Sequence, residues 1–472
     1  MRVRGSTLPS PAESALRSGP GITLSGTTLP YGSAAFGLQR QMVGSLCGLV
    51  QLMGFSTRVR LAPRFAVAGA EVTGVHVLRD QPRPKFGSHH IGGMGVFLEE
   101  ALIKALGETC ERYSQLTAET SASHPIRRAS QRELLHAGEP VLAADKLRFY
   151  TQQQYAQERF PFRPFDPDAP IGWVRMRSLL DDSYCWAPAQ LVMVGYLVRD
   201  DIGEPWMISA VTTGTAAHTD PGAALANTLL ELIQIDSVIG HWYGDSQAVR
   251  ILPGPRTAAL DRIVARQFHP TTPRPAFYLL PNADLAGASV ACLIRQRPPL
   301  IPAVALGLGS DTRLVAAMYK ALLEAVGVMQ LGRWEVVQSA LAGELTSAES
   351  IDPARIFNLE RNVALYSFPE RAELVESRFA GGPAVPAGDL PADSPARGRE
   401  RVRELVASFR DTGKQLLYLD LTTEDVRRLG FVTLRVWSPD TLSLPLPSAP
   451  PAAHPRFEAY GGIRRVDPHP YP

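Results

Sequence analysis

Three stretches of this chain repeat one helical template: ALIKALGE ends at Glu108, ALANTLLE at Glu231 and AMYKALLE at Glu324. Each has Ala seven residues before the Glu, Leu two before, and a long polar residue (Lys104, Asn227 or Lys320) four before. Residues three, four and seven apart share one face of an α-helix, so each segment presents a polar residue and its Glu one turn apart beside an apolar stripe. The first copy goes further, because Glu111 and Arg112 extend the charged row. Helices rich in Ala, Leu and Glu are common, and a single copy would read as an ordinary surface helix. The shared spacing and the Gly-rich entries to two of the three, GGMG at 92–95 and TTGTAAHTDPG at 212–222, instead imply an internal structural repeat. Its period is far too long for a solenoid. Three helices with converging carboxylates point to a metal-bound polyanion.

Composition narrows the function class. The chain has 472 residues, 45% of them hydrophobic and 20% charged, which is globular composition with ample core for two or three domains. A net charge of +2 leaves no basic stripe for nucleic acid, and runs such as RGRERVRE from Arg397 are mixed in sign. No stretch reads as a membrane span of roughly twenty apolar residues. The N-terminus has no apolar signal core behind its arginines, so the expected location is the cytoplasm. Cys47, Cys110, Cys185 and Cys292 are scattered without a C-x-x-C pair and are expected to be core thiols. The adjacent His89 and His90 would point to opposite faces of a strand and cannot share a metal. His218 and His241 have no partner at ligand spacing, and Trp242 and Tyr243 read as core at the end of the second acidic helix.

Breakers and periodicity divide the chain into residues 1–60, a Pro, Ser and Gly-rich tail plus a helical segment of unknown role; residues 61–440, the main folded domain; and residues 441–472, a Pro-rich tail ending in PHPYP. FGLQRQMVGSLCGLVQLMGF reads as one helix interrupted by Gly44 and Gly48. RFAVAGAEVTGVHVL, WAPAQLVMVGYLV and PWMISAVTTG read as short strands between the acidic helices, which makes the fold α+β. The segment 381–398 reads as a flexible surface loop, and 444–455 as extended chain.

GGMGVFLEEALIKALGETCERYS, from Gly92 to Ser114, resembles the first ATP-binding motif of the YcaO superfamily, a Gly-Lys-Gly turn leading into a helix that ends Glu-x-x-Glu-Arg. TTGTAAHTDPGAALANTLLELIQIDSV resembles that family's second motif. PHPYP matches the Pro-x-Pro-x-Pro ending of the members that make azolines in ribosomal peptides, and the approach to it from YLDLTTEDVRRLGFVTLRVWSP is similar to theirs. The resemblance runs from about Phe65 to Pro472. It implies a YcaO-like fold with β-sheets flanked by helices and pseudo-repeats of acidic helices around a nucleotide site. It also implies ATP and Mg2+ as cofactors, with Lys104, Glu108, Glu111, Arg112, Asn227, Glu231, Gln234, Lys320 and Glu324 at the nucleotide and Glu108, Glu111, Glu231 and Gln234 on the metal. Pro468, His469, Pro470 and Pro472 would form the catalytic tail, with the α-carboxylate after Pro472 as a proton acceptor. The chain departs from the pattern at Met94, which replaces the middle Lys, at Lys104, which replaces a Ser, and at Gln234 and Ile235, which replace Glu-Arg. Lys104 could restore the charge lost at Met94; the other reading of these changes is a non-catalytic subunit.

The activity implied is ATP-dependent conversion of Cys, Ser or Thr in a precursor peptide to thiazoline or oxazoline, by phosphorylation of the backbone amide oxygen. Thioamide or amidine formation by a sibling enzyme is the alternative, beside the scaffold. Expected partners are the precursor peptide, a ubiquitin-activating-enzyme-like or ThiF-like protein that recognises its leader, and a flavin-dependent azoline dehydrogenase, with homodimerisation left open. The only Gly-Lys pair, at Gly413, lacks the rest of a Walker motif, so a Walker-type NTPase is excluded.

Overall fold

The computed structural model describes residues 34–44, 48–56, 59, 61–72, 74–82, 90–120, 123–298, 300–343, 347–357 and 359–472. The expected tail before residue 34, Cys47 and His89 lie outside them. The helices of eight residues or more are α1 (Ala34–Met42), α2 (Leu98–Thr117), α3 (Pro221–Tyr243), α4 (Ala258–Gln267), α5 (Leu314–Leu341), α6 (Leu359–Tyr366), α7 (Pro369–Ala380) and α8 (Gly398–Asp411). The strands are β1 (Val50–Phe55), β2 (Ala66–Val72), β3 (His90–Gly95), β4 (Arg127–Ala129), β5 (Ile171–Ser178), β6 (Tyr184–Pro188), β7 (Thr215–His218), β8 (Val249–Leu252), β9 (Ala276–Leu279), β10 (Ala288–Arg295), β11 (Val304–Asp311), β12 (Ala384–Pro386), β13 (Leu417–Asp420) and β14 (Val432–Trp437). The fold is α+β.

The strands form three sheets, ordered β1-β2-β3, β4-β5-β13-β14-β7 and β11-β10-β9-β8-β12, with β6 beside β5. Each sheet ends on an edge strand, β3, β7 or β11, that leads directly into one of the three template helices, α2, α3 or α5. Each of these helices packs against its own edge strand and also against the next unit's: α2 touches β7, α3 touches β11 and α5 touches β3. Three strand–helix units therefore close into a ring.

The repeated Ala is what lets each helix lie close to its strand. A Cβ on Gly93 of β3 would stand 2.0 Å from the carbonyl oxygen of Ala101 and 2.5 Å from the nitrogen of Ala105. On β11 the same role falls to Gly309, against Ala317 and Ala321, and to Gly307, against Ala321 and Ala325. Ala101, Ala224 and Ala317, the template residues seven before each Glu, are all fully buried. GGMG is thus an edge strand, with α2 beginning only at Leu98, and its glycines serve helix packing rather than a phosphate turn.

Several sequence expectations change. FGLQRQMVGSLCGLVQLMGF is α1 followed by β1, with a close turn at Gly48, where a Cβ would lie 2.4 Å from the carbonyl of Met42. WAPAQLVMVGYLV keeps only the end of a strand, β6, before the short helix Ala189–Val192. PWMISAVTTG is not a strand, because side chains satisfy its backbone in place of a ladder: Met207 N–H donates to Gln190 Oε1 at 2.9 Å, and Arg435 donates to the Val211 carbonyl at 2.7 Å. The 381–398 segment is an ordered strap. β12 pairs with β8 in parallel, and Asp393 accepts the Leu314 N–H at the start of α5 while pairing with Arg256. α3 and α5 are, against the sequence reading, long and apolar enough to cross a membrane by length and composition. Their apolar windows are 67% and 72% buried in protein, as expected of core helices.

The close strand–helix contact has a measurable consequence. Gly93→Ala is expected to lower stability by about 3 kcal/mol through overpacking. Gly107→Ala, with nothing within 4 Å of the new Cβ in α2, should raise it by about 0.5–1 kcal/mol. Chemical denaturation of the two variants checks the opposite signs.

Candidate functional site

The Glu that closes each template reaches back to its own edge strand. Gly92 N–H donates to Glu108 Oε2 at 3.2 Å across 16 residues. The backbone groups that favour charge on Glu231 include Thr215, and the one on Glu324 is Leu308. Each Glu thus turns back to its strand sixteen residues earlier, and Glu231 also to Gly214, one residue before that. The ring brings the carboxylates to its centre, where Glu111 feels Glu231 and Glu108, and Glu324 feels Glu231 and Glu108.

Three of these half-buried carboxylates resist ionisation. Burial pushes Glu231 up to about 8, partly opposed by Arg435. Burial also takes Glu324 up to about 8, with Glu231 and Glu108 adding to it. Glu111 is raised well above the usual carboxylate range by burial and then by its acidic neighbours, against Arg112 and Arg435. Among the described residues, no three His, Cys, Asp or Glu side chains are grouped closely enough to enclose a metal by themselves. Mg2+ needs no such cage, since it commonly keeps waters and takes one or two carboxylates with substrate phosphates. The crowded carboxylates, of which Glu111, Glu231 and Glu324 favour a proton, fit a site that a divalent cation would neutralise.

The remaining expected residues fall around this centre. Arg112 lies 3.8 Å from Glu108. Asn227 and Gln234 flank Glu231 on α3, both half-buried. Lys320 donates to the Ser310 carbonyl at 2.9 Å and pairs with Asp311 at 3.1 Å, while Arg401 reaches the same Asp311 at 2.9 Å. Lys104 Nζ bonds Glu100 at 2.8 Å and the Met94 carbonyl at 3.1 Å, so its ammonium stands at the backbone of the position whose lysine is missing. Met94 itself points at Gly327 on α5. Glu100 also accepts from the Tyr319 hydroxyl at 2.9 Å and the Val96 N–H at 2.9 Å.

The sequence reading missed Arg435. It lies on β14 at 1% exposure, and its Nη1 donates to Val211 and, at 3.0 Å, to Thr215 Oγ1. Its Nε has no partner, nor has Gln115 Oε1 across the same Thr215. Burial holds this guanidinium down to about 10, against the pull of Glu231 and Glu111. A lone arginine inside the apolar run VTLRVW was the available signal.

PHPYP is folded into the core. Asn362 Nδ2 on α6 donates to the carbonyls of His469 at 2.7 Å and Tyr471 at 2.8 Å. Tyr366 donates to the Pro468 carbonyl, and Trp242 Nε1 to that of Asp467 at 3.0 Å. His469 is fully buried, with Nε2 2.8 Å from the Pro445 carbonyl and Nδ1 accepting the Tyr471 N–H at 3.3 Å. That pairing fixes a neutral ring with the proton on Nε2, which braces the tail. Pro470 lines an apolar recess with Val328, which follows Glu324 by one helical turn on α5. The tail thus lies against the same helix that carries a site carboxylate. Cys110, Cys185 and Cys292 are free thiols, two of them buried, as expected.

The class so defined is an α+β protein whose repeated strand–helix units enclose an acidic crevice. The chain belongs to the YcaO family: the family model described as YcaO cyclodehydratase, ATP- and Mg2+-binding, matches residues 92–442. Among solved structures it is similar to a heterocyclase in complex with substrate and cofactor, at 17% identity and TM-score 0.66, covering 93% of this chain and 57% of that one. It is also similar to the YcaO protein of Methanopyrus kandleri bound with AMPPCP and Mg2+, at 18% identity and TM-score 0.57, covering 92% and 93% of the two chains. A third likeness is to the E. coli microcin synthetase McbBCD complex with pro-MccB17 bound, at 14% identity and TM-score 0.58, covering 91% and 99%. This chain thus spans little more than half of the first of these. No curated relative matches its sequence.

The buried histidine yields a pH prediction. Burial lowers His469 to about 4, below the ordinary value near 6.5. The unfolded chain therefore binds more protons in that window, and stability should fall as pH drops from about 6.5 through 4. His241 and His454, also lowered by burial, act in the same direction. Glu111, Glu231 and Glu324, raised by burial, act in the opposite direction over the same range, so the histidine's share is read by difference: on acidification His469→Gln should lose less thermal stability than the parent.

Proposed function

We propose that this protein is the ATP-dependent cyclodehydratase of a system that modifies a ribosomally made precursor peptide, converting Cys, Ser or Thr to azolines. The observation that carries the reading is the meeting of Glu108, Glu111, Glu231 and Glu324 from three helices beside Arg112 and Arg435. Glu108, Glu111 and Glu231, with Gln234 and Glu324 adjoining, would hold Mg2+, which supplies charge neutralisation for a triphosphate. Lys104 and Lys320 stand one helical turn before Glu108 and Glu324 and offer cations to the phosphates. Catalysis of phosphoryl transfer rests chiefly on such positioning and charge.

In the reaction proposed, the substrate Sγ or Oγ bonds to the preceding carbonyl carbon and gives up its proton. The carbonyl oxygen takes the γ-phosphoryl group of ATP, leaving ADP. The amide nitrogen then loses its proton, the C=N bond forms and the C–O bond breaks, releasing phosphate. The peptide is one water lighter. Asn362, Tyr366 and Trp242 hold PHPYP beside α5, and the tail organises the reacting centre rather than the nucleotide. The same reading assigns recognition of the peptide leader to a separate ubiquitin-activating-enzyme-like or ThiF-like protein, and azoline oxidation to a flavin enzyme.

Peptide mass and the kinetics of three variants check it. With ATP, Mg2+, a leader-bearing precursor and the leader-binding partner, mass spectrometry should show loss of one water per modified residue. Exchange of oxygen for sulfur would establish the thioamide alternative, and no change in mass the scaffold. Glu111→Gln, which keeps volume and helix propensity, should cut peptide-dependent phosphate release by about 100-fold or more, whereas Lys104→Ala should raise the ATP concentration required. Asn362→Ala leaves two carbonyls unpaired at about 1–3 kcal/mol each. It should suppress water loss far more than nucleotide binding; equal loss of both would remove the tail from the reaction.

A further inference from the structure

Lys104 is held in place by a residue of another unit. One helical turn before it on α2, Glu100 has Oε2 occupied by the Val96 N–H at 2.9 Å and by the Tyr319 hydroxyl at 2.9 Å. Its Oε1 stands 2.8 Å from Lys104 Nζ. Tyr319 lies on α5 at 5% exposure, and its ring also faces the same ammonium, 5.7 Å from the centroid. Burial, and then the charge of Glu100, raise this phenol well above its ordinary value, so it stays a donor. With the Met94 carbonyl at 3.1 Å, two of the three ammonium donors are committed to protein and a third is left for a ligand. Lys320, which follows Tyr319 directly, is close enough to feel the charge of Lys104. In the helical template Tyr319 stands where the other two copies have Ile103 and Ala226, so α5 alone offers a hydroxyl there. Met94 takes the complementary part: its side chain fills the space over Gly327 on α5, where a Cβ would stand 2.6 Å from Met94 Cε and 2.8 Å from Sδ. The strand residue is spent on packing, and the cation is carried by the helix.

We propose that Tyr319 is a positioning residue for nucleotide binding: acting through Glu100, it fixes the Lys104 ammonium where that ammonium meets the phosphates of ATP. The assignment rests on the nucleotide site of the reading above and adds to it a residue that touches no ligand. A lysine is a point charge on a flexible four-carbon stem, and freezing that stem costs entropy when a ligand arrives. A carboxylate fixed on one oxygen by a backbone N–H and a buried hydroxyl meets that cost before binding, so more of the charge attraction appears as affinity. The hydroxyl comes from α5 and the ammonium from α2, so the first unit's cation is set only once the ring has closed.

The test is a double-mutant cycle read by equilibrium binding. Fluorescent mant-ATP with Mg2+ is titrated into the full-length protein without peptide, at a temperature where circular dichroism shows every variant folded. Lys104→Ala should weaken binding about tenfold and Tyr319→Phe about threefold, while the double variant should match Lys104→Ala alone, because a residue that acts through Lys104 has nothing to act on once the ammonium is gone. A further loss of about threefold in the double variant overturns the proposal, as does an unchanged dissociation constant in either single variant. Glu100→Asp, which keeps the charge and shortens its reach, supplies a second cycle should Tyr319→Phe fold poorly. Its loss should likewise vanish on the Lys104→Ala background, and additivity there counts equally against the proposal. In turnover, Tyr319→Phe should raise KM for ATP with kcat within about twofold of the parent; a fall in kcat alone contradicts a positioning role in binding. A parent protein that binds no mant-ATP removes the nucleotide site and this proposal together. One that binds it but takes no water from any peptide leaves the proposal standing and sinks the cyclodehydratase reading.

Discussion

The structure depends on holding like charges together. Glu108, Glu111, Glu231 and Glu324 occupy one crevice, and their mutual repulsion opposes the fold wherever they are ionised. What opposes that repulsion is the burial of three helices between three sheets. Each template helix is wedged between its own edge strand and the next unit's, so no helix can retreat from the crevice without leaving two sheets at once. Interiors packed at this density deform little. The acidic centre is a point of strain that the surrounding ring makes rigid.

The ring also explains why the family resemblance is local in sequence and global in space. The motifs around Glu108, Glu231 and Glu324 lie over a hundred residues apart in part, yet each is the same device: an edge strand, a turn, and a helix whose Ala face lies on the strand. Arg435 enters from a fourth place, β14, which pairs with β7 and so delivers a cation beside Thr215. The Asp236–Arg456–Tyr460 network, with Asp284, fastens the segment before the tail to α3. The tail is thereby positioned from both ends of its approach.

Much of this was legible beforehand. Spacings of four and seven located the three helices, because a helical face is a local property of sequence. The carboxylates and the apolar character of the Ala positions followed from the same arithmetic. The role of GGMG did not, since a glycine cluster reads alike as a turn before a helix or as a strand pressed against one. The difference lies in Ala101 and Ala105, which meet Gly93 only after folding. The 205–214 segment misled for a related reason: its apolar run suits a strand, but Gln190 and Arg435 take its backbone bonds. His469 read as chemistry because imidazole so often is, whereas Pro445 and Tyr471, which fix its proton, are identified only in space.

The constant reach from each Glu to the strand residue sixteen positions earlier acts as a ruler. Between Gly92 and Glu108, Thr215 and Glu231, and Leu308 and Glu324 the chain makes part or all of an edge strand, one turn and about three helical turns. A single residue inserted within any of these spans would rotate its carboxylate by roughly 100° away from the crevice. Segments between the spans carry no such register. Length variation among proteins built this way should therefore accumulate in the connections between units, leaving the three rulers uncut.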